Sequence, residues 1–132
     1  MRIIVDANVL VSAIILDSKR MDELFECIFA KHTLVIASYT VTELIEVAEE
    51  KFPDRLDVVE KSLERMPYEL ARTPDEIEPD LYDVRDPDDY PVLYTAVKAE
   101  VDVLVTGDKD LLAVKIKSPE ILMPSEFLER YA

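Results

Sequence analysis

Three short runs in this chain are apolar at every position: Ile3-Ile4-Val5, Leu34-Val35-Ile36-Ala37 and Val103-Leu104-Val105. A strand with one wet face alternates apolar and polar residues. A run without alternation has to be buried on both faces, the condition of a parallel sheet covered by helices. The expected strands are Arg2–Val5, Thr33–Ala37 and Asp102–Thr106, and helical stretches from Val9 to Leu16 and Met21 to Ala30 make the first two a crossover unit. The pattern predicts an α/β fold, a three-layer α/β/α sandwich about a central parallel sheet with Rossmann-like topology. At 132 residues the chain is the size of one domain, 1–132, able to bury a core without disulfides or a structural metal.

Period and punctuation supply the other elements. Val41, Leu44, Ile45 and Ala48 recur at helical spacing, with Ser38 or Thr40 as N-cap, and Asp54 to Arg65 is a further amphipathic helix between Pro53 and Pro67. Thr73 to Asp89 is acidic, broken by Pro74, Pro79 and Pro87, and reads as a loop with at most a short helical turn. Pro91 suits a first helical turn, after which Val92, Leu93, Ala96 and Val97 share a face. A short helix from Gly107-Asp108 through Leu112, strand pieces at Lys115–Lys117 and Ile121–Met123, and a helix over Ser125–Tyr131 complete the chain.

Several function classes fall away on composition. Cys27 is the only cysteine, which leaves no internal disulfide or Cys-rich zinc module, and its apolar surroundings fit a buried thiol in a reducing, cytoplasmic setting. The longest uncharged apolar stretch, Val9 to Leu16, is far short of the ~20 residues of a membrane span, and no basic leader precedes the first strand, so secretion and membrane anchoring are not expected. One glycine, Gly107, cannot make a Gly-rich phosphate loop, so dinucleotide and P-loop chemistry are excluded; Gly107 itself is expected to hold a conformation closed to other residues. His32 is the sole histidine and reads as a loop residue, which removes His-based catalysis and Ser or Cys triads. Absent Gln, a single Asn8 and 33% charged residues resemble proteins of hot environments.

Acids remain as the carriers of chemistry. In doubly wound sheets ligands bind beyond the carboxyl ends of the strands. Asp6 follows the first strand, Glu43 lies early in the helix after the second, Asp89 starts the helix near Pro91, and Asp108 follows the later strand. Crowded carboxylates repel one another unless a cation joins them, and Mg²⁺ or Mn²⁺ prefers such hard oxygen ligands. A cation of this kind lowers the pKa of a coordinated water and offsets charge on a scissile phosphate, which suits phosphodiester hydrolysis.

These residues carry a resemblance. Val5-Asp6-Ala7-Asn8-Val9-Leu10-Val11-Ser12-Ala13 resembles the first motif of the PIN-domain family, and Val105-Thr106-Gly107-Asp108-Lys109-Asp110-Leu111-Leu112 its last. Glu43 and Asp86-Pro87-Asp88-Asp89 match the middle acids, and Ile121 to Tyr131 is similar to the ending of its VapC-like toxins. The resemblance implies a Mg²⁺- or Mn²⁺-dependent ribonuclease, often a homodimer and often the toxin of a toxin–antitoxin pair, with Asp6, Glu43, Asp89 and Asp108 in the catalytic and metal-holding roles. It also implies that Asn8 orients Asp6 or a water, that Thr106 bonds a carboxylate, and that Asp86 and Asp110 are accessory acids, Asp86 being the alternative to Asp89 as third acid.

Plainer readings stand beside these. Thr40 to Glu43 fits a capping box, and Asp88 and Asp89 suit any helix start. Tyr82 and Tyr90 could stack on bases, although packing explains them as well. Lysines and arginines total 15 against 29 acids, a net charge of −14 that opposes a polyanion unless the cluster is neutralised and Lys109, Lys115 and Lys117 or a partner supply phosphate contacts. A basic antitoxin would suit so acidic a chain. RNA is the favoured substrate, DNA an open one. A non-catalytic PIN-like scaffold in RNA processing is the alternative from another class. A haloacid dehalogenase-like phosphatase with Asp6 as nucleophile is less favoured, because Asn8 stands where its second acid would be.

Overall fold

The computed structural model describes residues 1–132. Five strands, β1 (Arg2–Val5), β2 (Thr33–Ala37), β3 (Glu69–Ala71), β4 (Val103–Val105) and β5 (Glu120–Leu122), form one parallel sheet in the order β3-β2-β1-β4-β5. Ile4 registers with Val35 on one side and Leu104 on the other, so the three apolar runs are the three central strands. The order reverses between β1 and β4, the point at which open α/β sheets bind ligands.

Each central strand supplies both layers. Ile3, Val5, Leu34, Ile36, Val103 and Val105 face a core closed by α1 (Ala7–Leu10), α2 (Lys19–Lys31), α3 (Ser38–Lys51), α4 (Leu56–Arg65) and α7 (Pro124–Tyr131). Ile4, Val35, Ala37 and Leu104 face a smaller core beneath α5 (Tyr90–Lys98) and α6 (Lys109–Leu112). Ile3 and Ile4 are both fully buried, and truncating either would cost about 2–5 kcal/mol. No helix is long and apolar enough to cross a membrane.

Several sequence expectations need correction. The strand β3 has no apolar run to mark it in the sequence, because it is an edge of three residues with Glu69 and Leu70 exposed. Lys115–Lys117 forms no strand; β5 starts only at Glu120. The helix α3 begins at Ser38 with Ala37 at its N-cap, so neither Ser38 nor Thr40 caps it, and Thr40, Val41, Thr42 and Glu43 form no capping box. Gly107 has no positive φ, and a Cβ there would meet nothing within 4 Å; the left-handed residues are Asp17, Asp80 and Glu100. The first helix starts earlier than its apolar period, at Ala7, and widens into a π-helical segment over Val11–Ile15. His32 caps the end of α2 and packs edge-on against Phe127. The acidic segment is irregular apart from a 3₁₀ turn over Pro87–Asp89, as its prolines predict.

Candidate metal centre

The site begins with a carboxylate that the fold has already desolvated. Asp6 follows β1 and caps α1, and it is 6% exposed. One carboxylate oxygen accepts from the Val9 amide at 3.0 Å, and the other accepts from the Thr106 hydroxyl. Thr106, fully buried after β4, also accepts from the Asp108 amide at 3.0 Å, so one hydroxyl ties the two strand ends across the reversal point. Asp108 in turn caps α6 by accepting from the Asp110 amide at 2.8 Å. These bonds stabilise the ionised Asp6, yet burial outweighs them and pushes its carboxyl above the usual range, helped by the charge of Asp108.

The second half of the site comes from the acidic loop. Asp86 caps the 3₁₀ turn by accepting from the Asp88 amide at 2.9 Å, and Asp89 sits between that turn and α5. Asp86, Asp89 and Asp110 each bring one oxygen to within 4.8 Å of the others. Asp89 Oδ2 is buried without a hydrogen-bond partner. Burial first, then the charges of Asp108, Asp86 and Asp110, raise the Asp89 carboxyl to about 7. Glu43 is also raised to about 7, by burial and by Asp6, Asp88 and Glu46.

The acids therefore form a continuous set around the reversal point. Glu43 feels the charge of Asp6, Asp6 and Asp89 both feel that of Asp108, and Asp89 converges with Asp86 and Asp110. The four acids singled out from sequence lie in this set, but its tightest triad joins Asp89 to the two residues read as accessory, Asp86 and Asp110. A lone buried oxygen on Asp89 and three convergent carboxylates fit a hard divalent cation, which takes oxygen ligands and would remove the repulsion behind the raised pKa values. No His or Cys joins the triad, so a softer metal has no matching donors.

Other nominated residues lie elsewhere or act differently. The Asn8 side chain is exposed and makes no hydrogen bond to Asp6; only its backbone faces that carboxylate. Lys109 opens α6 beside Asp108. Lys115 and Lys117 precede β5 and so lie toward the amino end of the sheet, away from the acids. Tyr82 and Tyr90 pack on one another, and the Tyr90 hydroxyl donates to the Glu78 carbonyl at 2.7 Å. Three residues gain importance only in the structure. Asp88, read as a helix-start acid, faces Glu43; Tyr39 faces Glu43, Asp88, Glu46 and Asp89, and burial with these charges raises its phenol; Arg85 pairs with Asp110. Asp88 had a sequence signal in the Asp86-Pro87-Asp88-Asp89 segment and Arg85 in its place directly before it, whereas Tyr39 had none.

An all-parallel α/β sheet with an acid-lined rim at its topological switch point defines a class of protein, and the comparisons with known proteins narrow it. The profile of the PIN domain matches residues 2–110, a span that ends on Asp110 and includes every acid of the site. The chain belongs to the PIN-domain family. Among solved structures, a chain of VapBC2 from Rickettsia felis, bound to a DNA fragment from their promoter, superposes with a TM-score of 0.69 at 17% identity. The match covers 92% of this chain and 97% of that one, which establishes a shared fold. No curated protein sequence matches significantly.

Proposed function

We propose that this protein is a Mg²⁺- or Mn²⁺-dependent endoribonuclease. The observation that carries the reading is the convergence of Asp86, Asp89 and Asp110 beside Asp6 and Asp108, with a buried Asp89 oxygen left without a partner. In this reading Asp6, Glu43, Asp89 and Asp108 hold the cation, with Asp86 and Asp110 beside them. A bound cation would activate water and offset the charge of a phosphate in the transition state. The protein's own part is positional. Thr106 fixes the Asp6 carboxylate and, through the Asp108 amide, the start of α6, so one hydroxyl ties the two acids together. The exposed side chain of Asn8 is free to meet a water or a substrate group at the rim.

RNA is the proposed substrate, and a toxin role with an antitoxin partner is the proposed setting. The likeness to a chain of a VapBC2 complex supports a VapC-like role, as does the net charge of −14, which suits a basic partner. That same charge favours a second reading, a PIN-like scaffold acting through partner contacts. The two readings part on one assay: purified protein with structured and unstructured RNA, in Mn²⁺, Mg²⁺ or EDTA, against Asp6→Asn. Cutting that needs the metal and disappears in Asp6→Asn is expected; folded protein that binds RNA without cutting it in either metal would favour the scaffold.

A further inference from the structure

A chain with this excess of acids needs a cation at its active rim if it is to hold a polyanion, and the fold places an arginine there. Arg85 directly precedes Asp86, so its backbone is part of the loop that builds the acid triad. Its Nε donates to Asp110 Oδ1 at 2.8 Å and its Nη2 to Oδ2 at 3.3 Å, a fork against both carboxylate oxygens. Asp110 is 19% exposed, whereas Arg85 is 86% exposed, so the anchor is half-buried and the guanidinium stands out in water. Nη1 has no hydrogen-bond partner.

A surface pair of this kind adds little to stability by itself. What it does is hold a planar cation in one orientation, with its unused edge turned to solvent beside the carboxylates. An arginine anchored on one side by a carboxylate is already ordered for bidentate contact with phosphate on the other, so less entropy is lost on binding. Lys117 lies just before β5, Lys109 has no fixed partner, and Arg72, past the edge strand β3, meets Asp75 only at 4.0 Å, whereas Arg85 is forked onto an acid of the cluster itself.

We infer that Arg85, anchored by Asp110, contacts a backbone phosphate of the RNA strand next to the acid cluster. This rests on the nuclease reading above and assigns to that site a residue for gripping the strand. Asp110 then has two tasks, closing the acid triad with Asp86 and Asp89 and anchoring Arg85.

The test is RNA binding, which does not depend on turnover. A fluorescein-labelled oligouridylate is titrated with the Asp6→Asn protein in Mn²⁺, with Arg85 intact or changed to Ala or Lys, over a range of salt. Arg85→Ala is expected to weaken binding about tenfold and to lower the slope of log K against log salt by about 0.7, the share of one phosphate contact on a single strand. Arg85→Lys is expected to keep the slope and recover only part of the affinity, since it restores charge but not the fork. In the cleaving protein Arg85→Ala should raise KM more than it lowers kcat. Mn²⁺ affinity serves as a separate readout. Unchanged RNA affinity and slope in Arg85→Ala would overturn the inference alone, and a change confined to Mn²⁺ affinity would do the same by making Arg85 a partner of the acids only. Failure of the Arg85-intact protein to bind RNA at all would overturn this inference and the nuclease reading together.

Discussion

The two ends of the sheet treat their acids in opposite ways. At the amino end each prominent carboxylate has a partner. Arg2 pairs with Glu69, the Arg2 amide donates to Asp102 at 2.8 Å, and Glu120 receives both Arg130 and the Tyr131 hydroxyl. At the carboxyl end Asp6, Glu43, Asp86, Asp89 and Asp108 crowd together without an ion pair, and within this cluster Asp110 alone meets a cation, Arg85. Hydrogen bonds from backbone amides and Thr106 hold these acids in place without neutralising them. Paired acids complete a structure; crowded acids, pushed toward protonation by burial and by one another, store a repulsion that an added cation would release.

The largest expected effect on that contrast is at the carboxyl end, through pH and metal. Glu43 and Asp89 have folded pKa values of about 7, above their ordinary values of 4.5 and 3.8. A raised folded pKa gives stability that is whole below the unfolded value and is lost as pH rises through the folded one. In EDTA the melting temperature should therefore fall as pH rises from roughly 4 to 7. Mn²⁺ at a hundredfold excess over its Kd should restore about 2.7 kcal/mol, and more readily at higher pH, where the ligands are ionised. A metal-free melting temperature that climbs through this window would break the comparison.

Thr106→Val comes next. It strands the Asp108 amide and removes the donor to Asp6, at a cost of about 1–3 kcal/mol. Loss of such an orienting partner should lower RNA cleavage by roughly 10–100-fold. Equal activity in the valine protein would show that the two strand ends need no tie. At the amino end, Arg2→Ala should cost at most about 1 kcal/mol by chemical denaturation, because its ion pair with Glu69 is partly exposed, and cleavage should be unchanged. A cleavage defect in Arg2→Ala would mean that the ends communicate. The smallest effect is expected of Lys117→Ala, which should leave RNA binding as it was, since Lys117 lies just before β5. Weakened binding there would extend the substrate path to the far end of the sheet.

The readability of each region follows from how its residues are buried. The three central strands could be read because burial on both faces removes polar alternation, and their end residues Asp6 and Asp108 were then marked by position. The strand β3 could not, because an edge strand with two exposed residues looks like a loop. The helix α3 started earlier than its caps suggested because Ala37, the last residue of β2, serves as N-cap while Thr40 turns into the core. Among the acids, Asp6, Glu43, Asp89 and Asp108 could be proposed from their places after strands and at helix starts. Asp86 and Asp110 could be named as accessory acids, but their convergence on Asp89 could not, because it depends on how a proline-broken loop folds back toward α6.

What the sequence determined by itself was the layered α/β plan and the presence of acids at strand ends, since both follow from local patterns of burial. The tertiary structure alone decided that the order of strands reverses between β1 and β4, that Thr106 joins Asp6 to Asp108 across that point, and that Asp86, Asp89 and Asp110 converge. It also brought Arg85 onto Asp110 at that rim. The physical reason is range. A strand's hydrophobicity is set by its own residues, whereas the spacing of charges from distant segments is set by the packing of the helices and loops between them.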